Sequence, residues 1–238
     1  MAILTSLKTS TSPNQSTVFL IDDDPAVCVA LAALMRAAGL DLKLYRSAED
    51  FLPVAGSLTQ GCLLMDVRLP SMSGPELQLT LSASGFRLPI IFLTGHGDVS
   101  TSVRVMQAGA FDFLEKPVEG PLLLERVRAA LESDARRRQA EEERLLLQSR
   151  LGRLTARERE VMELVVRGYT NKEAGRQLGI SHRTVEVYRG RVMQKLQVET
   201  LLELVVFAGA CGSVSAPEPR YAPFFPGARS RQPARATA

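Results

Sequence analysis

Six polar residues stand where runs of apolar residues stop. Val18–Ile21 ends in Asp22 and Asp23, Cys62–Met65 ends in Asp66, Pro89–Leu93 ends in Thr94, and Ala110–Leu114 is followed by Glu115 and Lys116. A lone aspartate after an apolar run is most simply a turn cap. Four such run-ends carrying carboxylates, a hydroxyl and a lysine form a chemically coherent set. Three carboxylates brought within a few ångströms repel one another, and a divalent cation is the natural remedy. Hard oxygen donors favour Mg²⁺, which keeps several waters and takes few protein carboxylates. A carboxylate nucleophile, a metal, a lysine charge and a hydroxyl donor are the parts that phosphoryl transfer needs.

That set works only if the run-ends share one edge, so the elements must supply one. Apolar runs of four or five residues read as buried strands of a parallel sheet, in which ligands gather at the carboxyl ends. Between them lie helical stretches. Asp24-Pro25 starts one, in which Val27, Leu31 and Leu34 mark the inner face and Gly39 is the stop. Asp41–Tyr45 alternates like a strand with one wet face, and Ser47 to Asp50 opens a short helix. Gly74-Pro75 begins another helix that reaches about Ala83, and Asp98 caps a fourth that Gly109 ends. Strand and helix alternate five times, which predicts an α/β fold: a doubly wound five-stranded parallel sheet.

Composition sets bounds. The chain has 238 residues, 45% apolar and 23% charged, as in a globular protein of one large or two small domains. Cys28, Cys62 and Cys211 have no metal or redox spacing and read as reduced core residues. No apolar run approaches the roughly 18 residues that span a membrane, and the start of the chain has no signal-peptide pattern. The net charge of +3 conceals an asymmetry. Residues 17–133 carry 9 Lys+Arg against 14 Asp+Glu, whereas residues 134–238 carry 19 against 12. An acidic part joined to a basic one suggests a metal- or phosphate-handling unit attached to a nucleic-acid binder.

The stretch from Leu122 to Leu154 contains no Pro. Leu124, Val127 and Leu131 continue a core stripe, and a mixed-charge run from Arg136 to Arg144 is solvent-facing. It reads as one long helix or two with a frayed middle, whose later leucines could pair between two copies. A capping box at Thr155 and Glu158 then starts a set of four helices. Asn171 caps the second, Gly179-Ile180 is a tight turn, and Ser181 caps the third, His182 to Leu196; the fourth runs from Glu199 to Ala208. Two helices joined by a short glycine turn, with basic residues on the second, is the helix-turn-helix pattern. Val185, Val192 and Leu196, with Tyr188, point inward. The opposite stripe, Arg183, Glu186, Val187, Gly190 and Gln194, suits base edges, and the flanking Arg189, Arg191 and Lys195 suit phosphates. From Gly212 onward, five Pro and four Arg in 27 residues read as a disordered tail.

With these residues in view, the chain resembles a two-component response regulator of the NarL/FixJ family. Residues 17–133 look like a CheY-like receiver, on Asp22-Asp23, Asp66, Thr94-Gly-His-Gly-Asp-Val99 and Phe113-Leu-Glu-Lys-Pro117. Residues 154–210 look like a LuxR-type helix-turn-helix domain, on Leu154-Thr-Ala-Arg-Glu-Arg-Glu-Val161, Asn171-Lys-Glu173 and Arg183-Thr-Val-Glu-Val-Tyr-Arg189. The resemblance implies a regulator, not an enzyme. Asp66 would be the phospho-acceptor, assisted by Thr94 and Lys116. Asp22, Asp23, Asp66 and the backbone carbonyl of Arg68 would hold Mg²⁺. Thr94 and Phe113 would be the switch pair, and the Lys116–Pro117 peptide would be cis. Asn171, Lys172 and Thr184 join the DNA-contacting residues. The implied partners are a sensor histidine kinase, promoter DNA as a duplex, a second copy of the chain on phosphorylation, and RNA polymerase, in the bacterial cytoplasm and away from membranes. Residues 1–16 and 211–238 would be disordered, and 134–153 a helical linker. Ala174-Gly175 departs from the family's usual Ile-Ala, which costs the second helix packing and propensity, and His182 replaces a common Pro.

Two rival readings use the same residues differently. A haloacid-dehalogenase-like phosphohydrolase also uses Asp, Thr and Lys with Mg²⁺, with its nucleophile in Asp22-Asp23-Asp24. It needs a further acidic pair after the lysine, where only Glu119 follows closely, and leaves residues 154–210 unexplained. A protein-docking helical module would explain the four helices without DNA.

Overall fold

The computed structural model describes residues 17–95 and 99–212. The chain divides into two compact units, residues 1–140 and 141–238. Both predicted disordered ends lie outside the described residues but for Cys211 and Gly212, as does Asp98, the expected helix cap.

The first unit alternates strand and helix throughout: β1 (Thr17–Ile21), α1 (Pro25–Ala37), β2 (Asp41–Tyr45), α2 (Ala48–Ala55), β3 (Cys62–Asp66), α3 (Gly74–Ala83), β4 (Ile90–Thr94), α4 (Val99–Gln107), β5 (Asp112–Glu115) and the start of α5 (Gly120–Gly152). All pairings are parallel, in the order β2-β1-β3-β4-β5. Side chains alternate across a strand, so each strand feeds two cores. Phe19, Ile21, Leu63, Met65 and Phe92 pack on one face with Phe51 of α2 and Leu77 of α3. Val18, Leu20, Leu64, Ile91 and Leu93 pack on the other with Cys28 and Met35 of α1 and Leu123 and Val127 of α5. Burial on both faces is why these strands read as unbroken apolar runs.

Several expectations shift. In α1 the deepest residues are Cys28 and Met35, with Val27, Leu31 and Leu34 only half-buried beside them. β2 lacks clean alternation. It is an edge strand, with Leu42 and Tyr45 half-buried and Leu44 exposed. α5 is one continuous helix of 33 residues. Its buried stripe is Leu123, Val127, Ala130 and Asp134, with Leu124 and Leu131 only packed alongside. The stripe therefore continues one helical step beyond residue 133 and ends on a carboxylate.

The second unit contains α6 (Ala156–Val166), α7 (Asn171–Leu178), α8 (His182–Leu196) and α9 (Leu201–Ala210). Val161, Met162, Val165, Val185, Val192 and Leu196 form its centre, closed by Leu204 and Phe207. The capping box at Thr155 and Glu158 is present. Thr170, and not Asn171, caps α7: its side chain accepts from Glu173 N–H while Glu173 bonds back to the Thr170 N–H. Asn171 is the first helical residue. Gly179 turns the chain at φ +68°. Gly175, expected only to weaken α7, sits against that turn, where a Cβ would lie 2.7 Å from the Ile180 carbonyl oxygen.

Candidate functional site

The run-end residues do converge. Asp22 is fully buried just beyond β1, Asp66 is half-buried at the end of β3, and each of Asp22, Asp23 and Asp66 offers a carboxylate oxygen within 4.8 Å of the others. Lys116 Nζ bridges two of them, 2.6 Å from Asp22 Oδ2 and 2.7 Å from Asp66 Oδ2. The second oxygens are held by backbone: Asp24 N–H donates to Asp22 Oδ1 at 2.9 Å, and Arg68 N–H donates to Asp66 Oδ1 at 3.0 Å. Such bonds fix where the carboxylates point before any ligand arrives.

Burial pushes the Asp22 carboxyl above its ordinary value, and the Lys116 bond only partly offsets this. For Lys116, burial opposes the charge, but the hydrogen bonds it donates to Asp22 and Asp66 outweigh this and raise the ammonium's pKa. The lysine is thus held charged by the two carboxylates it joins. It is also held by its backbone, since Lys116 N–H donates to the Thr94 carbonyl at 2.6 Å, and the Lys116–Pro117 peptide is cis as expected. Thr94 is buried. The β4–β5 register pairs Phe92 with Phe113 and so puts Phe113, half-buried, on the sheet face that also carries Thr94. Arg68 is exposed in the loop after Asp66. The donor set suits a divalent ion of Mg²⁺ type: three carboxylates, all oxygen, with one positive charge already among them.

Sequence reasoning missed Gly74. A Cβ there would lie 2.4 Å from the Asp66 carbonyl oxygen and 3.0 Å from a ring carbon of Phe92. Gly74 N–H bonds the Val67 carbonyl at 2.9 Å, so the start of α3 is pressed onto the strand end that carries Asp66. The capping box of Ser73 and Glu76, with Pro75, was the readable trace of this helix start.

On α8 the outward stripe is as expected. Arg183, Thr184, Glu186, Val187, Gly190, Arg191 and Gln194 are exposed, and Val185, Val192 and Leu196 are buried. A Cβ at Gly190 would meet nothing within 4 Å, so this face is open. Arg191 lies 5.9 Å from the centroid of the Tyr188 ring, close enough for a cation–π contact. Thr184 is engaged with the Ser181 cap. Thr170, Asn171, Lys172, His182 and Arg189 line a shared cleft, in which the Asn171 Oδ1 is buried without a partner. Lys195 does not stand with the other cations. Its Nζ lies 2.6 Å from Oε2 of the buried Glu158. This bond, with the Thr155 N–H, holds the Glu158 carboxyl below its ordinary value and ties α8 to the start of α6.

Comparisons with known proteins agree with both units. Residues 18–128 match the family described as response regulator receiver domain, and residues 152–208 match the bacterial regulatory proteins of the luxR family. The chain is 43% identical over 200 residues to the transcriptional regulatory protein FixJ of Azorhizobium caulinodans, covering 84% of this chain and 95% of that one. It is 41% identical over 194 residues to the transcriptional regulatory protein TdiR of Thauera aromatica, covering 82% and 86%. Among solved structures, the response regulator StyR matches at 42% identity with a TM-score of 0.77, over 82% of this chain and 99% of that one. Full-length FixJ from B. japonicum matches at 38% with a TM-score of 0.54, over 85% and 100%. None of these supports the phosphohydrolase. An acidic sheet edge in a receiver and an exposed helix stripe in a LuxR-type domain place the chain in the NarL/FixJ family of two-component response regulators, as a DNA-binding regulator whose partners, as a class, are DNA and a cognate kinase.

Proposed function

We propose that Asp66 receives a phosphoryl group from a phosphohistidine of the kinase, and that this modification controls DNA binding by α8. A carboxylate oxygen of Asp66 attacks phosphorus, the P–N bond to the donor imidazole breaks, and an aspartyl phosphate forms. Asp22, Asp23, Asp66 and the Arg68 carbonyl would hold Mg²⁺, which when bound neutralises charge on the transferring phosphoryl oxygens. Lys116 moves its ammonium from the Asp66 carboxylate to a phosphate oxygen, and the Thr94 hydroxyl donates to another. Thr94 moving toward the phosphate leaves room for Phe113 to turn inward, and the changed surface favours a dimer. The single observation that carries this reading is the Lys116 ammonium, shared at 2.6 and 2.7 Å by a buried and a half-buried carboxylate.

The dimer presents two α8 helices to the major groove about one DNA turn apart. Arg183, Glu186, Val187 and Gln194 read base edges, Gly190 lets the backbone approach, and Asn171, Lys172, Thr184, Arg189 and Arg191 position the phosphates. The working segments are a receiver over 17–133, a helical connection over 134–153 and an output domain over 154–210. RNA polymerase is a further partner at the promoter. The protein acts in the bacterial cytoplasm and turns over no small substrate. The test is Asp66→Asn in the full chain with acetyl phosphate and Mg²⁺. Wild type dimerises and binds promoter DNA more tightly, and the variant does neither. A variant that still responds overturns the mechanism.

A further inference from the structure

Asp134 is 2% exposed, which is unusual for a carboxylate in a stretch otherwise built as a charged helix surface. It sits in α5 one helical step past Leu123, Val127 and Ala130, in the stripe that faces the sheet. Its Oδ2 accepts from the Gly61 N–H at 3.1 Å and from Arg138 Nε at 3.1 Å, and its Oδ1 accepts from Arg137 Nη2 at 2.5 Å. Gly61 is 73 residues away in sequence and leads directly into β3. It is also wedged: a Cβ there would lie 2.1 Å from the Thr17 carbonyl oxygen, and its φ is +129°. The neighbouring Cys62 thiol is pushed up to about 12 by burial and then by Asp134. One carboxylate thus joins the foot of β3 to α5, at the opposite end of the strand from Asp66.

A buried carboxylate deprived of its partners is strongly unfavourable. Arg137 and Arg138 lie on α5 and travel with Asp134, so sliding or rotating α5 at residue 134 would break the bond to Gly61 and leave that buried amide without its acceptor, whereas the apolar contacts above it tolerate small shifts. α5 then continues without a break to Gly152. We propose that Asp134 is a positioning residue for signal transmission: it keys the rotation of α5 to β3, so that a change at the Asp66 end of the strand is passed to the part of the helix that leaves the first unit. This rests on the phosphorylation of Asp66 only for its second readout.

The test uses the full chain, with Asp134→Asn, which keeps the shape and removes the charge, and Arg138→Gln, which withdraws one partner from a half-exposed position should the first variant fail to fold. The first readout is hydrogen exchange. The Gly61 amide should exchange about ten-fold faster in either variant, while the amides of β4 keep their protection. The second is the ratio of DNA affinities with and without acetyl phosphate, which should shrink by about five-fold or more at unchanged extent of phosphorylation. Unaltered Gly61 exchange overturns the clamp. Affinities that fall together with their ratio intact reduce Asp134 to a structural role and overturn the transmission. A wild-type chain whose DNA affinity ignores acetyl phosphate overturns the phosphorylation reading instead, and Gly61 exchange in the variants still decides whether the clamp exists.

Discussion

Gly74→Ala adds one methyl group to the buried start of a helix and should impair the proposed acceptor. The added Cβ would lie 2.4 Å from the Asp66 carbonyl oxygen, 0.6 Å inside the 3.0 Å that real Cβ atoms keep, and 3.2 Å from Val67 Cα. Backbone atoms cannot turn aside as a side chain would. Either α3 retreats from the sheet or the end of β3 bends away. The first stretches the 2.9 Å bond from Gly74 N–H to the Val67 carbonyl, and the second moves Asp66 off Lys116. Overpacking of this kind costs about 1–3 kcal/mol. A displacement of about 1 Å at a reacting group can cost about a hundred-fold in rate, so about 0.6 Å should cost about ten-fold. The assay is the rate of acetyl-phosphate-driven phosphorylation with Mg²⁺ present, with urea unfolding alongside. Gly56→Ala is the control. Gly56 has an ordinary helical φ of −66°, and a Cβ there meets nothing within 4 Å, so it should be neutral or stabilise by up to about 1 kcal/mol. Wild-type phosphorylation rate and stability in Gly74→Ala would refute the steric reasoning.

Lys116→Ala leaves Asp22 buried beside Asp66 with its cation gone. The first unit should lose about 1.5–3 kcal/mol in urea without divalent ions and regain part of it in millimolar Mg²⁺; unchanged stability without Mg²⁺ would mean the lysine neutralises nothing. Glu158 has its folded-state pKa held below its ordinary 4.5, so its contribution is complete above pH 4.5 and is lost as pH falls through the depressed value. Urea midpoints of the second unit should drop across that window in wild type and much less in Glu158→Gln; parallel pH profiles would sink the assignment. Lys172→Ala should weaken binding to all DNA sequences and lower the salt slope by about 1, whereas Lys195→Ala, whose ammonium serves Glu158, should destabilise the second unit and leave the slope in place. Fluorescence anisotropy across a salt series separates the two.

The parallel sheet was legible because β1, β3 and β4 are buried on both faces, which writes each as an apolar run with its first polar residue at the sheet edge. That one rule delivered Asp22, Asp66 and Thr94 together. It fails where burial is one-sided or comes from afar. β2 lies at the edge, so its alternation predicted a wet face that Leu44 and Tyr45 do not respect. Gly74 looked like an ordinary helix start because the carbonyl it touches belongs to another element. Lys195 looked like one more phosphate contact because its carboxylate partner lies 37 residues earlier. The boundary at residue 133 shows the difficulty most clearly. Local composition turns charged there, and a mixed-charge run on a helix is ordinarily solvated. The same composition is what a buried carboxylate requires, since Asp134 needs Arg137 and Arg138 within one turn to be tolerated at all. Charge on this helix therefore marks the last point where α5 is fastened to the sheet as well as the first point where it leaves it. Only the position of Gly61, fixed by the fold and not by the local sequence, distinguishes the two.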